Sequence, residues 1–188
     1  MTEKAWAKRL ATLIQNRCLP QRGDYRVSTQ QRLPYSYEVT SYEQADQRED
    51  HLSYYETDIL ITQQLDGERW IPRVVIETKL DRLHSHDAIT YSKKASTHKQ
   101  VHPYLRYGMV VGARGRSGLP GRFIRHGEHF DFMFAFSGLR PTPSQEARFA
   151  RLIRAEVRAS QRWERAIYDT RRVERVKYQL VHRSLIIE

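Results

Sequence analysis

Two β-prone runs joined through an Asp-Gly pair constrain the fold of this chain more than any other feature. Tyr54 to Gln64 carries Ile59, Leu60 and Ile61 at its centre, and Trp70 to Leu80 carries Val74, Val75 and Ile76. Asp66-Gly67 between them is a favoured hairpin pair, because both residues tolerate the positive φ of a tight turn between twisted strands. The spacing therefore predicts a β-hairpin. An unbroken apolar triplet needs cover on both faces, so the second strand is expected inside a sheet rather than at its edge. These requirements point to an α/β fold.

The rest of the chain supplies the other elements. Residues 3–17 predict a first helix, capped by Thr2, with Trp6, Leu10, Leu13 and Ile14 on one face. Residues 24–42 are rich in Tyr, Val and Thr and predict one or two strands, interrupted at Pro34. Residues 86–106 contain no glycine and predict a helix that closes near Pro103. Tyr107 to Gly112 reads as a short buried strand, and Phe130 to Phe136 as a last one. Residues 112–129 hold five of the nine glycines with Arg114, Arg116, Arg122 and Arg125, which predicts a mobile basic loop. Pro141-Thr-Pro-Ser opens a final helix over 144–177. Phe149, Leu152, Ile153, Glu156, Val157, Trp163 and Ile167 share one side of it, and Arg148, Arg151, Arg154, Arg158, Arg162 and Arg165 the other. The expected organisation is a core over residues 1–139 and a basic amphipathic extension over 140–188 packed on the same domain.

Charge narrows the partners. The net charge of +10 favours an anionic one, with nucleic acid the commonest. It is unevenly placed: residues 140–188 hold twelve Lys/Arg against six Asp/Glu, whereas residues 38–58 hold seven Asp/Glu against Arg48 alone. No apolar run approaches the ~20 residues that span a bilayer. Cys18 is the only cysteine, so an internal disulfide is excluded. With no signal-like start to the chain, these features predict a cytoplasmic location.

The chemistry-bearing residues lie on the hairpin. Asp58 is on its first strand, and Glu77 and Lys79 are on its second, where alternation points both the same way. A turn centred between Asp66 and Gly67 sets Glu77 opposite about residue 56, so Asp58 falls within about two places of it. A small bulge or splay then lets both carboxylates face one cation. Two carboxylates with water and phosphate oxygens make a Mg²⁺ site. Such an ion polarises a phosphoryl oxygen and lowers the pKa of a bound water. An ammonium group beside it orients the water or holds the phosphate.

Tyr55-Glu-Thr-Asp58 followed by Val74-Val-Ile-Glu77-Thr-Lys79 resembles the signature of the PD-(D/E)xK nuclease superfamily, with Thr57 in the place of the Pro. The order of elements over residues 3–113 is similar to that superfamily's αβββαβ, restriction-endonuclease-like core, which implies a mixed central sheet flanked by helices. The resemblance implies a Mg²⁺-dependent nuclease, with Mn²⁺ as a substitute, that cleaves DNA in preference to RNA. It implies Asp58 and Glu77 as metal ligands and Lys79 as the residue that positions or activates water. Gln100-Val-His-Pro-Tyr104 looks like the Gln-xxx-Tyr motif of one branch, in which the Gln and Tyr support the site or contact DNA; this implies that Gln100 assists catalysis and makes Tyr104 a candidate for the same support. Glu3 and Glu56 are candidates for a further carboxylate. A homodimer is expected if both strands of a duplex are cut. The eight histidines, among them the pairs His84/His86 and His98/His102, do not complete a zinc set. Lys93, Lys94 and Lys99 read most simply as a solvated helix face, and the arginine stripe as a phosphate-binding or solubilising one. The competing functions are a non-catalytic nucleic-acid binder, an RNA-processing nuclease and an assembly protein using its last helix.

Overall fold

The computed structural model describes residues 1–80, 84–112 and 118–168. Within them the two apolar runs pair as expected. Strand β2 (Gln47–Gln64) and strand β3 (Trp70–Leu80) are antiparallel from Gln64↔Trp70 to Ile59↔Ile76. Their connection is longer than a two-residue turn. Leu65 donates its N–H to the Arg69 carbonyl at 2.9 Å, and Gly67 sits between them at φ +69°, a conformation glycine adopts without strain. The ladder then shifts between Ile61 and Thr62, where Arg73 is the extra residue of a bulge on β3.

Strand β1 (Tyr25–Gln44) is one continuous element that runs through Pro34 instead of breaking there. The sheet order β1-β2-β3-β4-β5 explains this, because β1 is an edge strand. Proline there removes no ladder bond on the open side, and the ladder shifts between Pro34 and Ser36. Strands β1 and β2 also outrun β3. Their outer halves, from Ser36 to Ser53, form a two-stranded arm that is largely exposed.

Helix α2 (Ser85–Val101) carries the chain from β3 to the parallel strand β4 (Arg106–Gly112). A parallel pair requires such a crossover. The helix stops before Pro103, earlier than 106, with His102 as its C-cap. Part of the expected basic loop is instead a short helix, α3 (Gly121–His126), because Phe123 is fully buried and anchors it. Residues 113–117 lie outside the described residues. Strand β5 (Phe132–Phe136) pairs parallel with β4 and completes a mixed five-stranded sheet.

The helices cover both faces. Helix α1 (Glu3–Leu13), capped by Thr2 and prolonged by a π-helical turn over Ile14–Cys18, packs on one face with α4 (Pro143–Tyr168). Trp6, Leu10 and Ile14 meet Phe149, Ile153 and Val157 there, over Ile59, Ile61, Val74 and Ile76. On the other face, Ala95 of α2 packs on Leu33, Leu60, Val75 and Tyr107, and Ala88 packs with Met109, Val111 and Phe123. The apolar stripe expected for the last helix is thus spent largely on this domain's own core, although Ile167 is 39% exposed. The expected continuation of that helix, 169–177, lies outside the described residues. Among the described residues no helix is long and apolar enough to cross a membrane.

Candidate active site

Asp58 sits where both ladders of β2 lapse. On the β1 side, Thr29↔Ile59 and Gln31↔Thr57 are paired, and Gln30 between them adopts φ 56°. A left-handed non-glycine residue in a strand is uncommon and marks a local distortion. On the β3 side, the ladder ends at Ile59↔Ile76. Carrying that register one step further brings Asp58 level with Glu77, not two places away. The longer turn and the Arg73 bulge together produce this shift. The Asp58 carboxylate turns toward Thr78, and its Oδ2 accepts the Thr78 N–H at 2.8 Å and the Thr78 hydroxyl at 2.9 Å.

Glu77 is 1% exposed. Its Oε1 accepts the Tyr107 hydroxyl at 2.5 Å and lies 4.0 Å from Lys94 Nζ. Burial, and then the charge of Asp58, push its carboxyl up to about 7, although Lys94, Tyr107 and the Asp58 backbone favour the charged form. Two crowded carboxylates, one of them desolvated, are a place where a cation gains stabilisation. Asp58 Oδ1 takes no part in the bonds to Thr78. Among the described residues no three His, Cys, Asp or Glu side chains gather in a way that would hold a metal. Asp58 and Glu77 are the residues that could hold a cation here, two carboxylates being a donor set that suits a hard ion keeping much of its water.

Lys79 lies between two further acids, with Nζ 3.5 Å from Glu3 Oε1 and 3.4 Å from Asp87 Oδ1. Glu3 also accepts the Leu80 N–H at 3.4 Å, so the first helix does bring a carboxylate to this end of β3. The other oxygen of Asp87, Oδ2, accepts the His84 N–H at 2.8 Å and closes a capping box at the start of α2. One residue thus ties the helix start to the lysine.

Other candidates are not brought to this place. Gln100 is exposed on α2, six residues past Lys94 and about 9 Å further along the helix axis. Tyr104 faces Arg73, whose guanidinium lies 5.8 Å from its ring centre. Glu56 is exposed and accepts the Gln30 side-chain amide at 3.1 Å. His98 is fully buried, its Nε2 3.2 Å from the Leu33 carbonyl, and burial pushes its pKa down to about 4. Lys99 is engaged with Asp131 at 2.8 Å and the His129 carbonyl at 2.7 Å, so it belongs to the scaffold.

What α2 does contribute is Asp87, Tyr91 and Lys94. They recur at i, i+4 and i+7 and so form one stripe. That spacing is legible in the sequence, but polar residues on a helix usually mark its solvent side, and only packing shows that this stripe faces the carboxylates. The charges of Glu77, Asp58, Glu3 and Asp87 add to burial in raising the Tyr91 phenol. Thr78 and Tyr107, which bond Asp58 and Glu77, carry no separate signal in the sequence. No known family model matches the chain, and no curated protein matches it.

Proposed function

We propose that this chain is a Mg²⁺-dependent nuclease of restriction-endonuclease-like fold that hydrolyses DNA phosphodiester bonds. The observation that carries this reading is that Asp58, just past the end of the β2–β3 ladder, bonds Thr78, the residue next to the buried Glu77, with Lys79 one residue further on. The order α1-β1-β2-β3-α2-β4 is the order the resemblance implies, and it supports the same reading. Bound Mg²⁺, or Mn²⁺ in its place, would polarise the phosphoryl oxygen and acidify a water.

The protein's own groups do the rest. Thr78 holds Asp58 through two hydrogen bonds, and Tyr107 holds one oxygen of Glu77, so neither carboxylate has to be ordered when a cation arrives. Lys79 is kept extended between Glu3 and Asp87 and is 20% exposed, within reach of a water or phosphate oxygen. Gln100, exposed about 9 Å along α2 from Lys94, is kept as the assisting residue that the Gln-xxx-Tyr resemblance implies. On the face covered by α2 and α3, Lys93, Arg122 and Arg125 are exposed and suit backbone phosphates. The arginines of α4 belong to the opposite layer, so they serve a substrate at this site only if it wraps around the sheet edge.

Incubation of supercoiled plasmid with Mg²⁺ or Mn²⁺ tests the proposal. The wild type is expected to nick or linearise it, EDTA to stop the reaction, and Asp58→Ala and Lys79→Ala to lose at least ~100-fold in rate, the scale of a lost charge-stabilising group. A wild type inert on DNA with both metals would overturn the DNA assignment, and cleavage of RNA in the same assay would move the substrate class. Variants as active as the wild type would show that other residues carry the chemistry.

A further inference from the structure

Lys94 stands apart from the other lysines of α2. Its Nζ lies 5.3 Å from the ring centres of both Tyr55 and Tyr91, so the ammonium sits between two aromatic faces, a favourable place for a cation. Tyr55 is itself stacked on Tyr35, with centres 3.7 Å apart and planes 10° from parallel, which braces one wall of this cage. The open direction leads to Glu77, whose Oε1 is 4.0 Å away. The Lys94 side chain keeps 25% exposure, so it also reaches solvent. Lys79, by contrast, is held between Glu3 and Asp87 and is less free to answer a change of charge at the carboxylate pair.

We infer that Lys94 is a resident counter-ion of the Asp58–Glu77 pair, displaced toward the substrate's phosphate when a divalent cation takes its place. This rests on the nuclease reading of the two carboxylates. The charge balance supports it. Without a metal, one ammonium offsets part of the repulsion between two carboxylates in a low-dielectric site. Were Asp58 and Glu77 to hold a divalent cation, the same ammonium would face a like charge and be driven toward its solvent-exposed side. Tyr55 and Tyr91 then act as a track that keeps Lys94 close to the site in both positions. Lys94 is a positioning residue before substrate arrives and a phosphate ligand afterwards.

The role predicts effects of opposite sign from one substitution. Lys94→Met keeps the length and packing of the side chain between the rings and removes the charge. Mn²⁺ affinity of the substrate-free protein, measured by titration calorimetry at about pH 8.5 so that Glu77 is ionised in both proteins, is expected to tighten about tenfold, because a like charge near the cation is removed. The KM for plasmid cleavage is expected to rise about tenfold as a phosphate contact is lost. Lys94→Arg is expected to move both quantities back toward the wild type. A role in folding alone would weaken both, and unchanged or weaker Mn²⁺ binding by a folded Lys94→Met protein would overturn the inference. Asp58→Asn separates the two levels. If it binds Mn²⁺ as tightly as the wild type, the carboxylate site itself is wrong. If it loses Mn²⁺ while Lys94→Met leaves the affinity unmoved, only the role of Lys94 falls.

Discussion

Glu77 is a carboxyl group whose fold works against its charge. With its pKa up to about 7 from an ordinary 4.5, the native protein holds a proton there that the unfolded chain has released. The metal-free protein therefore loses stability as pH rises through the interval from about 4.5 to 7, by on the order of 3 kcal/mol. Denaturant unfolding in EDTA at pH 5 and pH 8 checks this. Glu77→Gln is expected to flatten the dependence and to be the more stable protein at pH 8. Equal pH dependence in both proteins would mean that Glu77 titrates normally. Thr78 matters for the other carboxylate. Thr78→Val keeps the shape and the backbone N–H but removes the hydroxyl from Asp58, a charge-assisted bond worth about 1.5–3 kcal/mol. Cleavage is expected to fall at least ~10-fold and the thermal midpoint by about 3–10 °C, and an unchanged rate would show that the backbone bond alone orients Asp58.

Among the elements, α2 does most to build the site, and its seating depends on β1. His98 on α2 meets the Leu33 carbonyl of β1 across a fully buried contact. Its pKa of about 4 means that the native ring stays neutral where an unfolded histidine, near 6.5, already binds a proton. Between those values the unfolded chain binds more protons, so this contribution is complete above about pH 6.5 and is lost as pH falls toward 4. Acid unfolding followed by circular dichroism is expected to show a shallower acid limb for His98→Gln than for the wild type. Because Glu77 acts in the opposite direction over an overlapping interval, each variant is read against the wild type rather than from the wild-type curve alone. The hairpin shows the same dependence on neighbours. The Arg73 bulge is held by Glu164 on α4 at 2.6 Å and by the Gln63 side chain at 3.0 Å, so α4 helps to set the register that levels Asp58 with Glu77.

Taken whole, the molecule separates its charges. The arm contains Glu38, Glu43, Asp46, Glu49 and Asp50 against Arg48, while the rest of the chain carries the positive surplus. An acidic projection repels a polyanion, so the proposed nucleic-acid substrate would be steered to the body and not to the arm. Replacing residues 37–52 with an Asn-Gly turn between the paired Ser36 and Ser53 removes five acids and one arginine and raises the net charge from +10 to +14. The truncated protein is expected to keep its thermal midpoint within about 5 °C, since few buried contacts are lost. Its affinity for duplex DNA is expected to rise and to fall more steeply with salt, as gel shifts at about 50 and 200 mM NaCl would measure. Collapse of the fold on truncation would show that the arm braces the sheet, and weaker DNA binding would show that it holds the substrate.

The sequence by itself determined the hairpin, the α/β class, the capped first helix and the candidates Asp58, Glu77 and Lys79. Each of these rests on local chemistry: apolar triplets, an Asp-Gly pair, a threonine cap, and alternation along a strand. Tertiary structure decided what local patterns cannot hold. The Pro34 strand stays whole because it lies at an edge, and a buried phenylalanine turns a glycine-rich stretch into a helix. Asp87, Tyr91 and Lys94 join the site because packing turns their stripe inward. Register decided the most. The level meeting of two carboxylates depends on the connection over residues 65–69 and on one bulged arginine, Arg73, held by Glu164 of the last helix. That long-range contact leaves no mark in the residues around Asp58 or Glu77.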